Sequence, residues 1–156
     1  MKKQQKGFSL IELLIVVAII LIIAAIAIPN LIKSKMAANE AAAVGALRTF
    51  TTAEIAYSTA CPNIGFTQVL ADLGNANTCP GGNNQIDPQL QTGLKSGYSF
   101  ALTATTSGSS TSNVLFTAKG DPQGPSSGTR HFFVDQTGVI RYNQSAAATN
   151  ADNALQ

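Results

Sequence analysis

Residues 6–29 read KGFSLIELLIVVAIILIIAAIAIP. Between positions 8 and 28, a run of 21 residues, Glu12 is the single charged side chain. A helix rising about 1.5 Å per residue over that length matches a bilayer core about 30 Å thick. A carboxylate inside such a span costs about 2.5 kcal/mol or more unless it finds a partner. Glu12 stands one helical turn beyond Phe8, and Phe8 follows Gly7, a small residue suited to a protease cleft. A cut between Gly7 and Phe8 would create an α-amino group one turn from a carboxylate. In a bundle of identical subunits, that amine would pair with Glu12 of a neighbour.

Two plainer readings compete for the segment. A secretory signal peptide has an apolar region of about 7–15 residues followed by a small-residue cleavage site. Here the apolar run is longer and ends in Pro29 and Asn30. A simple single-pass anchor accounts for the length but leaves Glu12 without a reason. The lysines ahead of the run, Lys2, Lys3 and Lys6, favour the cytoplasmic side, so the remainder of the chain faces outward.

The short basic leader, the junction of Gly7 and Phe8, Glu12, the unbroken apolar helix and Pro29 at its end together resemble the class III signal of type IV pilins and type II secretion pseudopilins. The resemblance implies cleavage after Gly7 and N-methylation of Phe8 by a prepilin peptidase. Many relatives carry a glycine within the apolar run, whereas this chain has none between Gly7 and Gly45. The stretch GTRHFFVDQTGVIRY, residues 128–142, is similar to a C-terminal pattern of type IV pilin-like proteins.

Composition bounds what the remainder can do. Without residues 1–7 the chain carries seven basic and eight acidic side chains, which offers no basic face for nucleic acid. The two cysteines, Cys61 and Cys79, lie 18 positions apart in a region expected to be exported. An oxidising compartment favours a disulfide between them, worth about 3 kcal/mol by loop closure. Two cysteines and a distant His131 fall short of a four-ligand zinc site. Asp121 and Asp135 match no calcium-loop spacing, and no nucleophile elbow, zinc-protease or phosphate-loop motif occurs. No catalytic residue, cofactor or metal site is expected.

Five segments follow the leader at 1–7. Residues 8–29 form the apolar helix. Residues 30–59 are rich in alanine and free of proline, and continue it as an amphipathic helix. Ala43, Ala46, Leu47, Phe50, Ala53 and Tyr57 recur at spacings of three and four and make one apolar stripe, with Glu54 close beside it. Pro29 lacks an N–H and is expected to bend the helix. Residues 60–96 read as a loop-rich connection tied by the disulfide, with a helical turn near residues 67–73. Residues 97–144 hold strands. Tyr98, Phe100 and Leu102 alternate with small polar residues, residues 114–118 form a second strand, and residues 131–135 and 139–142 flank a QTG turn served by Asp135 and Gly138. Residues 145–156 lack periodicity and are expected to form a flexible tail.

The expected fold is therefore α+β: one long N-terminal helix laid on a three- to four-stranded antiparallel sheet, as in the pilin fold. The expected function is a structural subunit of a type IV pilus, anchored in the inner membrane as a precursor and then assembled into a surface filament. Assembly would involve Phe8, Glu12 and Pro29. Its partners would be further copies of the chain, the prepilin peptidase, an inner-membrane assembly platform and, before assembly, the lipid bilayer. A periplasmic pseudopilin of a secretion system is the nearest alternative, and a membrane-anchored binding or adhesin module is the alternative from another class.

Overall fold

The computed structural model describes residues 8–75, 85–108 and 111–155. Helix α1, Leu10–Ala60, runs for 51 residues and continues through Pro29 without interruption. Its later turns hold several residues with weak helix propensity. The hydroxyls of Ser34, Thr49, Thr51, Thr52 and Thr59 each donate to the carbonyl four residues back, so they add hydrogen bonds without breaking the backbone ladder. The helix ends where Cys61 turns out of helical geometry while its N–H still reaches Tyr57 O at 2.8 Å, and Pro62 cannot prolong it.

The stripe read from the sequence is the buried face. Ala43, Ala46, Leu47, Phe50, Ala53 and Tyr57 are all buried, and this face lies against the sheet at β3, Leu115–Pro122, and β4, His131–Asp135. The inward residues of β2, Tyr98–Thr105, include Tyr98, Phe100 and Ala104, and those of β3 and β4 include Phe116, Ala118, Phe132 and Val134. Each large apolar side chain so buried contributes about 1.5–3 kcal/mol. The small residues set the spacing: a Cβ on Gly120 would stand 3.0 Å from the Phe100 ring, which already meets Phe50 edge-on at 5.4 Å between centroids.

The sheet is an antiparallel meander in the order β1 to β6. It has six strands rather than the three or four expected. The two not expected are short: β1, Leu94–Lys95, and β6, Asn153–Ala154, have two residues each, while the segment expected at 139–142 appears as the three-residue β5, Arg141–Asn143. A two-residue ladder shows no alternation, so the sequence pattern could not reveal it. The connection from helix to sheet carries two single-turn helices, α2, Leu70–Leu73, and α3, Pro88–Gln91. Gly65 pins its start, because with φ at +76° its backbone forms a bridge with Asn113, where any Cβ would collide with the Asn113 carbonyl.

The tail also departs from expectation. Residues 145–155 fold back on the sheet instead of hanging free. The Asp152 carboxylate accepts from the Thr149 N–H and hydroxyl and from Asn143 Nδ2, Arg141 donates to the Asp152 carbonyl, and the Leu155 N–H reaches Ile140 O at 2.8 Å. Ala148 is buried as a result. Polar side-chain closure, not apolar periodicity, orders this segment.

Replacing Phe50, which is fully buried, by alanine should cost about 3–5 kcal/mol, whereas Ile55→Ala on the exposed face should stay within about 0.5 kcal/mol. Thermal unfolding of the full chain in detergent, followed by circular dichroism, measures the difference.

Candidate functional site

The candidate site is the first half of α1. From Phe8 to Leu31 every side chain is exposed except Ala24, which is half-buried; Phe8 is 89% exposed and Leu21 63%. A helix apolar on all sides has no stable place in water, so lipid or other apolar helices must cover it. Among the described residues α1 is the one helix long and apolar enough to cross a membrane. The two halves of one continuous helix thus meet different surroundings: none of the described residues covers the first, and the second is built into the folded head.

At the start of α1 the structure brings Phe8, Ser9 and Glu12 into one turn. Ser9 is the N-cap, and its backbone N–H donates to Glu12 Oε2 at 2.8 Å. The carboxylate at the third helical position therefore satisfies one orphan donor and sits at the positive end of the helix dipole. This local role was not part of the sequence reading, although the signal was present as Ser9-x-x-Glu12 ahead of an apolar run. It lowers the cost of carrying Glu12 within the subunit. Gly7 and Cys79 lie outside the described residues, and so does the pairing of Cys79 with Cys61. Cys61 itself is buried at the end of α1. Pro29 lies on the exposed half of the helix.

Where α1 meets the head, a second carboxylate does structural work. Glu40 is 6% exposed, and its Oε1 accepts from the Thr129 N–H at 2.8 Å, the Thr129 hydroxyl at 3.1 Å and the Arg130 N–H at 3.3 Å. Its Oε2 accepts from Arg130 Nε at 2.7 Å. Burial alone would raise the Glu40 pKa, but these donors outweigh it and hold the carboxyl below its ordinary value. The Arg130 guanidinium also lies over the rings of Phe132 and Tyr142, at 5.7 and 5.6 Å from their centroids. The Tyr98 hydroxyl donates to Arg130 O, and Asn39 Nδ2 to Ser127 O. Residue 128 must be glycine here, since a Cβ would fall 2.1 Å from the Tyr98 oxygen. Residues 127–130 are thereby locked to α1 at Asn39 and Glu40, where its buried face begins, and this sets the direction in which the apolar half leaves the head.

The polar residues weighed for chemistry are placed apart. Asp121 faces His131 across the β3–β4 ladder, with 2.6 Å between Oδ1 and Nδ1. Asp135 instead closes the turn after β4, accepting from the Thr137 N–H while its carbonyl takes the Gly138 N–H. Their ladder positions differ by four residues, about 13 Å along a strand. Among the described residues no group of three His, Cys, Asp or Glu side chains gathers as a metal site would require.

This architecture sets an apolar helix, long enough to cross a membrane and uncovered among the described residues, on a compact sheet head. Residues 2–28 match the prokaryotic N-terminal methylation motif. Over 38 residues the chain is 58% identical to the type IV wide pilus major component PilA4 of Thermus thermophilus, a match covering 24% of this chain and 29% of that relative. These findings support the type IV pilin family for this chain. No solved structure matches it.

The Glu40 cluster has a pH signature. A carboxyl held below its ordinary value of 4.5 when folded contributes stability above that pH, and the contribution is lost as the pH falls through the folded value. Removing the pair should cost about 2 kcal/mol or more, between the figures for exposed and fully buried pairs. The thermal midpoint of the wild-type chain should therefore drop between about pH 6 and about pH 3 by more than that of Glu40→Gln, measured in detergent.

Proposed function

We propose that the chain is the structural subunit of a type IV pilus. Prepilin peptidase removes residues 1–7 after Gly7 and methylates the new amine of Phe8. The precursor waits in the inner membrane with its leader in the cytoplasm and its head outside. The assembly platform then draws subunits out of the bilayer, and the apolar halves of α1 pack against one another while the heads form the coat. Ala18, Ala24, Ala25 and Ala27 permit close helix approach. A disulfide between Cys61 and Cys79 would fasten the connection beside the helix end in the extracellular filament.

One observation carries the reading: from Leu10 on, the methylation motif lies on a helix whose apolar half is exposed on every side while its second half packs into a folded head. The relative whose printed name is that of a pilus component supports a pilus over a secretion pseudopilus.

In the filament Glu12 would neutralise the Phe8 amine of a neighbouring subunit, a pairing that offsets the cost of a carboxylate in an apolar core. The cap in the monomer makes the test sharper, because Glu12→Gln keeps an acceptor for the Ser9 N–H and loses only the charge. Both Glu12→Ala and Glu12→Gln should insert into membranes normally and yield few sheared filaments. Normal filament yield from both would contradict a role in assembly, and normal yield from Glu12→Gln alone would reduce Glu12 to a helix cap.

A further inference from the structure

Glu54 occupies the middle of the buried face of α1 and is fully buried. Its Oε2 accepts the Thr67 backbone N–H at 3.0 Å, and its Oε1 is buried with no hydrogen-bond partner. It takes part in none of the ion pairs of the described residues, which join Lys95 to Asp87, Arg130 to Glu40 and His131 to Asp121. The charged group acting on it is another carboxylate, Asp72 of α2. Thr67, itself buried, stands between the two: its N–H goes to Glu54 and its hydroxyl to Asp72 Oδ2 at 2.9 Å, while the same hydroxyl accepts from the Val69 N–H. Tyr57, one turn further along α1, is the other titratable group in this corner, and burial followed by the charges of Asp72 and Glu54 pushes its phenol up.

A buried, half-satisfied carboxylate facing a like charge is unfavourable when ionised and tolerable when protonated. We infer that Glu54, Thr67 and Asp72 form a proton-controlled latch that fastens residues 61–75 to α1 when Glu54 is protonated and loosens them when it ionises. The neutral carboxyl keeps the Thr67 bond without repelling Asp72. Ionisation places two negative groups on either side of one threonine and leaves Oε1 in need of water, which an opening of the connection supplies. Burial first, and then the Asp72 charge, push the Glu54 pKa up to about 7, against an ordinary value of 4.5. A group raised in this way contributes stability that is complete below the ordinary value, declines as the pH rises toward 7, and is absent above it. The latch is closed in acid and released at mildly alkaline pH, the reverse of the Glu40 cluster. It belongs to the head of the single chain and does not depend on whether the chain polymerises.

Hydrogen exchange on the full-length protein in detergent tests it, with amide protection compared at about pH 5.5 and about pH 8.5 after correction for intrinsic rates. Protection of residues 61–75 should fall on the order of tenfold at the higher pH. The same amides in Glu54→Gln should show no such fall. Asp72→Asn, which removes the like charge, should bring the Glu54 pKa down toward its ordinary value, so the fall in protection between the two pH values should shrink. Equal wild-type protection at both pH values, or an undiminished fall in either Glu54→Gln or Asp72→Asn, would overturn the inference.

Discussion

One helix has to satisfy two environments, and the rest of the structure follows from that constraint. The first half of α1 offers apolar side chains in every direction, so nothing in its own chain can cover it. The second half offers apolar side chains along one stripe, so a single sheet can cover it and leave the opposite side to water. The helix is continuous across the change. Forces acting on the exposed half are therefore carried into the head through backbone hydrogen bonds, without an intervening flexible linker.

That arrangement makes the junction between the halves the place where rigidity matters. Glu40 lies there, and its two oxygens take four donors from residues 129 and 130. About four turns further along the same face, Glu54 has one donor and a like charge for company. The same side-chain chemistry on the same face of one helix is thus pushed in opposite directions by its surroundings. The first fixes the head to the helix at neutral pH, and the second makes the fastening of the connection conditional. In the proposed filament, Glu12 would be a third carboxylate whose meaning depends on its partner: the Ser9 N–H within one subunit, and an amine of the next.

The features legible in the sequence are those that repeat. The spacing of Ala43, Ala46, Leu47, Phe50, Ala53 and Tyr57 announces the buried face, and the alternation from Tyr98 to Leu102 announces β2. Glu54 was visible only as a blemish on the stripe, because helix spacing tells where a side chain points and not which backbone N–H waits there. Glu40 and Arg130 are 90 positions apart, and no local pattern joins them. The ordered tail was hidden for a related reason: Asp152, Thr149 and Asn143 close it by individual hydrogen bonds, which have no period. At the candidate site, the apolar run and the resemblance at Gly7 and Phe8 point to assembly, while the cap made by Glu12 is written only as Ser9-x-x-Glu12, a short pattern beside a long apolar run.

The role of α1 in filament assembly turns on what its amino end becomes. Intact-mass analysis of filaments sheared from cells expressing the chain reads it directly. The mature subunit should begin at Phe8 and carry one methyl group on its amine. A mature chain that retains Met1 and the leader, or one that starts beyond Pro29, would contradict the assignment of α1 as the filament-forming helix.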